Sequence, residues 1–285
     1  MSRRGASGAR SACLATALAL AMELGAGAVN ASPSGGPTAA TEAFASSPAR
    51  ATASSARLLS GGTTADGRYL AGVEIDLDPG TITYWRSPGE AGAPPGFDFS
   101  GSINVAAVDV VYPAPKRIDE QGVVVAGYDT RVIFPLKVAP RDPTEPVTLS
   151  LSLHYSACGK ICLPARAKLS LVLPRSGETS QAAEFAAAIA DAESHAPRRL
   201  DPSEAQQALS IEKSAANSWR LTWRGQGKAG AVFAEVSEPL FLESVPHDGV
   251  FDLKLYPVDA IPSPLTAKLT VVTDAGAYEA PVTLR

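Results

Sequence analysis

Histidine, methionine and cysteine are scarce in this 285-residue chain, which carries three, two and three of them. With only His154, His195 and His247 available, a histidine-rich metal centre or a catalytic triad has few candidates. No G-x-S-x-G, phosphate loop or H-E-x-x-H occurs, so hydrolase and nucleotide-dependent chemistry find no support. Lysine and arginine do not cluster among aromatics and the net charge is −4, so no nucleic acid is expected as a partner. Past the N-terminus no run of about eighteen apolar residues appears, and the mature chain is expected not to span a membrane.

The N-terminus is a different matter. Arg3, Arg4 and Arg10 precede an apolar stretch over residues 13–24, followed by Ala26-Gly27-Ala28 or Val29-Asn30-Ala31 as a small-residue cleavage site. Residues 1–31 therefore read as a secretory signal peptide. Cys13 stands at the start of the apolar core, not after it where a lipid-attachment cysteine would sit, and leaves with the signal. Two cysteines remain for an exported protein, and in an oxidising compartment they pair with each other or exchange with partners. Residues 32–56 are rich in Ala, Ser, Thr and Pro and read as a flexible linker.

From residue 57 to 174 short apolar-alternating segments are separated by Gly, Pro, Asp and Asn, the pattern of a β-sandwich. Glu74, Asp76 and Asp78 alternate with Val73, Ile75 and Leu77 and read as a solvated strand face, while Tyr84-Trp85 reads as core packing at a strand end. Residues 175–207 hold a helical linker, with Phe185 and Ile189 on one face of a helix over 179–195. Asp201-Pro202-Ser203-Glu204 then forms a capping box with proline at the first helical position. Residues 208–285 return to about six strands and contain no cysteine. The fold class is all-β: an immunoglobulin-like β-sandwich, a short helical linker, and a second, smaller β-sandwich.

The chemistry concentrates in residues 149–174. Leu149, Leu151, Leu153 and Tyr155 alternate with Ser150, Ser152, His154 and Ser156, and Ile161, Leu163, Ala165, Ala167, Leu169, Leu171 and Leu173 continue the inward parity on the return strand. With Gly159-Lys160-Ile161 as the hairpin loop, and glycine supplying its unusual backbone angles, Cys158 and Cys162 face one another on the polar side at a distance a disulfide can bridge. A ring this small restrains the unfolded chain by only about 2 kcal/mol, against nearly 5 for a loop of about 100 residues. An accessible bond at a hairpin tip is better suited to exchange than to stapling. Lys160 and Arg166 are cations that would favour thiolate. His154 is four strand residues from Cys158, roughly 13 Å, too far to share a metal or a proton. Three readings stay open: a reversible redox pair, a structural disulfide in an inert β-sandwich adaptor, and a Cu(I) site made by two thiolates in a copper-tolerance protein.

Tyr155-Ser-Ala-Cys158-Gly-Lys-Ile-Cys162-Leu-Pro-Ala, preceded by Gly72-Val-Glu-Ile, Thr83-Tyr-Trp-Arg-Ser-Pro-Gly89, Pro94-Pro95, Tyr112-Pro-Ala-Pro115 and Gly127-Tyr128, resembles the N-terminal periplasmic domain of DsbD-type thiol:disulfide interchange proteins. The nearest variety is the copper-suppressor, ScsB-like branch, which carries a second β-domain. The resemblance implies that Cys158 and Cys162 are the catalytic redox pair of a protein-disulfide reductase-type relay. It implies a cap over residues 117–128, including Asp119 and Glu120, with Gln121-Gly122-Val123 in place of the shielding aromatic. Tyr84 and Tyr128 are expected to line the site, beside Lys160 and Arg166. It further implies a periplasmic location, a membrane-embedded thiol reductase as electron donor, a periplasmic thioredoxin-like protein as acceptor, and no cofactor beyond the disulfide, with copper as the alternative.

Overall fold

The alternation in residues 147–173 has the consequence expected of it. Leu149, Leu151, Leu153 and Tyr155 on strand Val147–Cys158 are buried opposite Leu171, Leu169, Ala167 and Ala165 on strand Cys162–Leu173. The facing serines, His154, Arg166 and Lys168 lie on the outer side. With Gly96–Asp98 these strands make a three-stranded antiparallel sheet. It packs on a five-stranded sheet in the order Ala49–Ala51, Ser54–Thr63, Tyr69–Leu77, Val132–Pro140, Val105–Val110. Leu58, Val73, Ile75, Phe134, Leu136 and Val138 from that sheet close the core. Full burial of each such side chain stabilises the fold by roughly 1.5–3 kcal/mol. The Tyr155 hydroxyl, at the inner end of the row, meets the Ser54 hydroxyl at 2.8 Å, so the polar tip of this inward tyrosine is satisfied. This computed structural model describes residues 44–174, 180–237, 239–257 and 264–285. The expected signal peptide of residues 1–31 and the first part of the expected linker lie outside them.

Three expectations change here. Residues 44–56 are not a tether: Phe44 and Ala45 are buried, and Ala49–Ala51 pairs with Ser54–Thr63. Ala and Ser suit a strand edge once larger neighbours cover them, which composition alone does not reveal. Glu74 does not sit on a solvated face; it is buried and accepts from Arg57 Nε at 2.7 Å. The third concerns the cap. Residues 117–128 form a β-hairpin, Lys116–Glu120 against Val123–Tyr128, turning at Gln121 and Gly122 with φ of 57° and 91°. Positive φ at both central positions is the hairpin turn that matches strand twist. Thr83–Tyr84 completes a three-stranded sheet with it.

Helix α1, Ser180–Ser194, buries Phe185 and Ile189 against Leu59 and Ile133, so it lies on the first sandwich as well as leading to the second. Helix α2, Pro202–Ala208, starts at the capping box: Asp201 accepts from the Ser203 and Glu204 N–H groups, and Glu204 accepts from the Asp201 N–H.

The remaining strands form two four-stranded sheets. One runs Arg198–Arg199, Gly276–Leu284, Leu265–Thr273, Ala229–Glu235, and the other Leu209–Ala215, Ser218–Trp223, Val250–Tyr256, Phe241–His247. Trp219, Leu221, Phe251, Leu253, Leu269 and Val271 fill the space between them. That is eight strands where about six are expected; Phe241–His247 is hard to read in the sequence because Pro246 and a charged flank dilute its alternation, and Asp248 and Gly249 make its turn at φ 46° and 83°. No helix among the described residues is long and apolar enough to cross a membrane.

A disulfide under a tyrosine and a carboxylate

Cys158 and Cys162 are a register pair at the end of the hairpin and form a disulfide, with Cα atoms 3.9 Å apart. Gly159 is absent from the residues of positive φ, so the turn closes without a left-handed glycine. The two cysteines then part company. The Cys158 N–H donates to the Ile82 carbonyl at 2.9 Å and the Ile82 N–H donates to the Cys158 carbonyl at 2.8 Å, which places Cys158 between two neighbouring strands. Ile82, Tyr84 and Val125 cover its side chain, which is 1% exposed. Cys162 begins the outer strand of the sheet and is exposed. The expectation of two cysteines on an open polar face therefore holds for one of them, because the Thr83–Tyr84 and Val123–Tyr128 strands roof that face over Cys158. Ile161 also departs from expectation: instead of turning inward it is 67% exposed at the tip, beside Cys162.

Tyr84 is the residue that spans the pair. Its oxygen lies 3.2 Å from Cys158 Sγ and 3.3 Å from Cys162 Sγ. Disulfide sulfurs have no hydrogen to give, so the only hydrogen here is the phenol's. It goes to the strongest acceptor in reach, Glu120 Oε2 at 2.8 Å. Burial pushes the Tyr84 phenol up from its ordinary value, and the bond to the Glu120 carboxylate adds to the rise. The hydroxyl therefore stays protonated. The other carboxylate oxygen, Glu120 Oε1, is 3.1 Å from Cys162 Sγ.

Two glycines make room for this contact. A Cβ on Gly92, which has φ of 119°, would lie 2.7–2.9 Å from the Tyr84 ring, and a Cβ on Gly127 would lie 2.4 Å from the Thr83 carbonyl oxygen. Only glycine permits either approach.

Tyr128 is not brought to the sulfurs. It belongs to the main core, edge-on to Phe134 at 5.5 Å, and its hydroxyl donates to the Pro113 carbonyl at 2.9 Å. Asp119 accepts from the Gly122 N–H at the cap turn, and the Lys160 carbonyl accepts from Gln121 Nε2, so both serve the backbone around the site. Arg166 pairs across the strands with His154, four register pairs from the cysteines. The charge nearest the sulfurs is thus an anion, Glu120, and not the cations on which thiolate stabilisation was expected to rest. The expected cap over residues 117–128 includes both Glu120 and Val125, but nothing in the residues signals the Glu120–Cys162 contact, and Ile82 and Gly92 are not among the expected site residues.

Among the described residues, Glu120, Cys158 and Cys162 are the group whose ligand atoms could hold a metal ion, all lying within 4.8 Å of one another. A disulfide carries no thiolate charge, so this group becomes a ligand set only on reduction.

The family model described as thiol:disulfide interchange protein DsbD, N-terminal, matches residues 55–174. Among solved structures, the N-terminal periplasmic domain of ScsB from Proteus mirabilis superposes with a TM-score of 0.65 at 18% identity, covering 85% of this chain and 98% of that one. That likeness of fold extends past the matched segment into the second pair of sheets. The CupB2 chaperone of Pseudomonas aeruginosa covers 76% of this chain and 93% of its own at 11% identity, but with a TM-score of 0.20 it carries no argument. No curated protein matches the chain. Residues 55–174 are a DsbD-type N-terminal domain, a thiol:disulfide interchange module with Cys158 and Cys162 as its cysteine pair.

Proposed function

We propose that this chain is a periplasmic electron relay in which Cys162 is the sulfur that meets partners and Cys158 the sulfur that stays behind. One observation carries the reading: a disulfide whose halves differ in access, Cys162 exposed and Cys158 buried under Ile82, Tyr84 and Val125. Thiol–disulfide exchange proceeds by in-line attack of a thiolate on one sulfur, with the other leaving.

In the reducing direction a donor thiolate attacks Cys162 Sγ, the S–S bond breaks, and its electron pair leaves on Cys158 Sγ beside the Tyr84 hydroxyl. A second donor thiol, deprotonated, then attacks the donor sulfur of the mixed disulfide. Cys162 leaves as thiolate and the donor departs as a disulfide. The two protons of the donor dithiol end on the two cysteines. Run backwards with an acceptor disulfide, the same steps return both electrons. Glu120 Oε1 lies 3.1 Å from Cys162 Sγ, so a carboxylate faces the sulfur that becomes the nucleophile and holds back its ionisation.

In this reading the donor is a membrane-embedded thiol reductase and the acceptor a periplasmic thioredoxin-like protein, as the family resemblance implies. The exposed apolar side chains of Ile161, beside Cys162 at the tip, and Val123, the register partner of Glu120 on the cap hairpin, offer such a protein an apolar rim. Residues 57–174 hold the chemistry and residues 208–285 form a second domain, with residues 1–31 directing export. The deciding experiment mixes the reduced full chain with an oxidised thioredoxin-like protein and follows disulfide content in both. Stoichiometric transfer that is lost in Cys158→Ser and Cys162→Ser supports the relay. Stoichiometric Cu(I) binding by the reduced chain without any transfer would favour the copper reading, for which Glu120 and the two thiolates are the ligand group.

A further inference from the structure

The second sandwich contains no cysteine, yet it holds both stretches of chain that carry Tyr84 and Glu120 to the sulfurs. Tyr84 is followed by Trp85 and Arg86. The Trp85 ring packs on Phe233 of strand Ala229–Glu235, with centroids 5.8 Å apart. Arg86 lies over Trp85 at 4.4 Å and its guanidinium enters the second sandwich. Arg86 Nε donates to both Glu235 oxygens at 3.2 and 3.1 Å, and Nη2 donates to Glu235 Oε1 and Glu279 Oε2, both at 2.9 Å. Lys268 Nζ, 3.1 Å from Glu235 Oε1, shares that carboxylate. Glu120, for its part, ends the strand on which Arg117 sits, and Arg117 Nη1 donates to the Ser244 carbonyl of strand Phe241–His247 at 2.8 Å.

One sheet of the second sandwich thus holds the strand of Tyr84 and the other holds the strand of Glu120. The two held strands also meet through Val123–Tyr128: the Trp85 N–H donates to the Ala126 carbonyl at 3.0 Å, and Arg117 pairs with Ala126. A forked guanidinium between two carboxylates fixes direction as well as distance, and all three side chains are about one-fifth exposed.

We infer that Arg86 is a positioning residue for the redox pair: the second sandwich, gripping Arg86 through Glu235 and Glu279, keeps Tyr84 and the Glu120 carboxylate over Cys162 and so sets its reactivity. This rests on the thiol:disulfide reading of the site. A mere staple between sandwiches would change the melting temperature but not the chemistry of a sulfur on the far side of Tyr84. Loosening the grip moves a carboxylate and a hydroxyl away from Cys162. The thiolate then forms more readily and is more open to attack.

The test uses the reduced full chain and two small reagents, so it reads out whether or not a thioredoxin-like partner exchanges with it. Alkylation of Cys162 by iodoacetamide and the equilibrium with glutathione are measured for Arg86→Met, for the isosteric pair Glu235→Gln/Glu279→Gln, for Glu120→Gln, and for Arg86→Met combined with Glu120→Gln. The expected result is alkylation about threefold to tenfold faster in both Arg86→Met and the Glu235/Glu279 variant, with a glutathione equilibrium shifted from wild type. In the combined variant the two effects do not multiply, because Arg86 acts through Glu120. The inference is overturned if the Glu235/Glu279 variant, which approaches from the opposite side and keeps every side-chain volume, stays within about twofold of wild type in both readouts. Fully multiplicative effects in the combined variant overturn it as well.

Discussion

The Tyr84 hydroxyl donates to Glu120 at 2.8 Å while its oxygen stands 3.2 Å from Cys158 Sγ, so a phenol bridges a carboxylate and a disulfide. The arrangement joins residues 36 positions apart and depends on a strand crossing at Ile82 that neither hairpin could supply alone.

Glu120 opposes thiolate formation at Cys162. Two unit charges about 3–4 Å apart at a water-exposed site repel by about 1 kcal/mol, a factor of about five in thiolate population. Glu120→Gln is expected to speed iodoacetamide alkylation of reduced Cys162 by about that factor near neutral pH, with the difference vanishing once the thiol is fully ionised in both proteins. A rate–pH profile checks it.

Gly92→Ala places a methyl group against the Tyr84 ring at a φ that L-residues rarely adopt. Overpacking and backbone strain together are expected to cost about 1–3 kcal/mol in a urea titration. The same substitution frees the sulfurs from the phenol, so alkylation becomes faster as stability falls.

Ile161→Asp removes exposed apolar surface without touching the sulfurs. Alkylation by a small reagent is expected to change little, while exchange with a thioredoxin-like protein slows several-fold. Stopped-flow comparison of the two reagents separates docking from chemistry.

Tyr84, Tyr112, Tyr128 and Tyr155 all have phenols raised by burial. Each is neutral in the fold and ionises more easily when unfolded. Their contribution to stability is therefore complete below the unfolded phenol value near 10 and is lost as pH rises above it. Urea midpoints should be independent of these groups through neutral pH and fall above about pH 10, less steeply in Tyr84→Phe.

Much of this was legible in the residues, and the reason is local. The leucine-serine alternation of residues 149–156 fixes which side faces the core, and with it the opposition of Cys158 and Cys162. The capping box of Asp201 and Glu204 is likewise a contact between near neighbours. What escaped is long-range. Cys158 was assigned to an open face by parity, but Ile82 and Val125 cover it from strands 76 and 33 residues earlier in the chain. Lys160 and Arg166 were weighed as the nearby charges because they are near in sequence, whereas the anion that reaches Cys162 comes from Glu120 on a separate hairpin. Arg86 belongs to the Thr83–Gly89 stretch that carries the family resemblance, but nothing near it signals its ion pairs, since Glu235 and Glu279 lie 149 and 193 residues away.

The central claim is that exchange enters through Cys162. It is tested most directly by trapping: reduced Cys158→Ser and Cys162→Ser full-length chains are each incubated with a thioredoxin-like protein that lacks its resolving cysteine and carries thionitrobenzoate in a mixed disulfide on the cysteine that remains, and the protein–protein disulfides formed as thionitrobenzoate leaves are counted by mass. The account predicts a stable adduct on Cys162 in the Cys158→Ser chain and little or none on Cys158 in the Cys162→Ser chain. Equal trapping on both, or trapping through Cys158 alone, would contradict it.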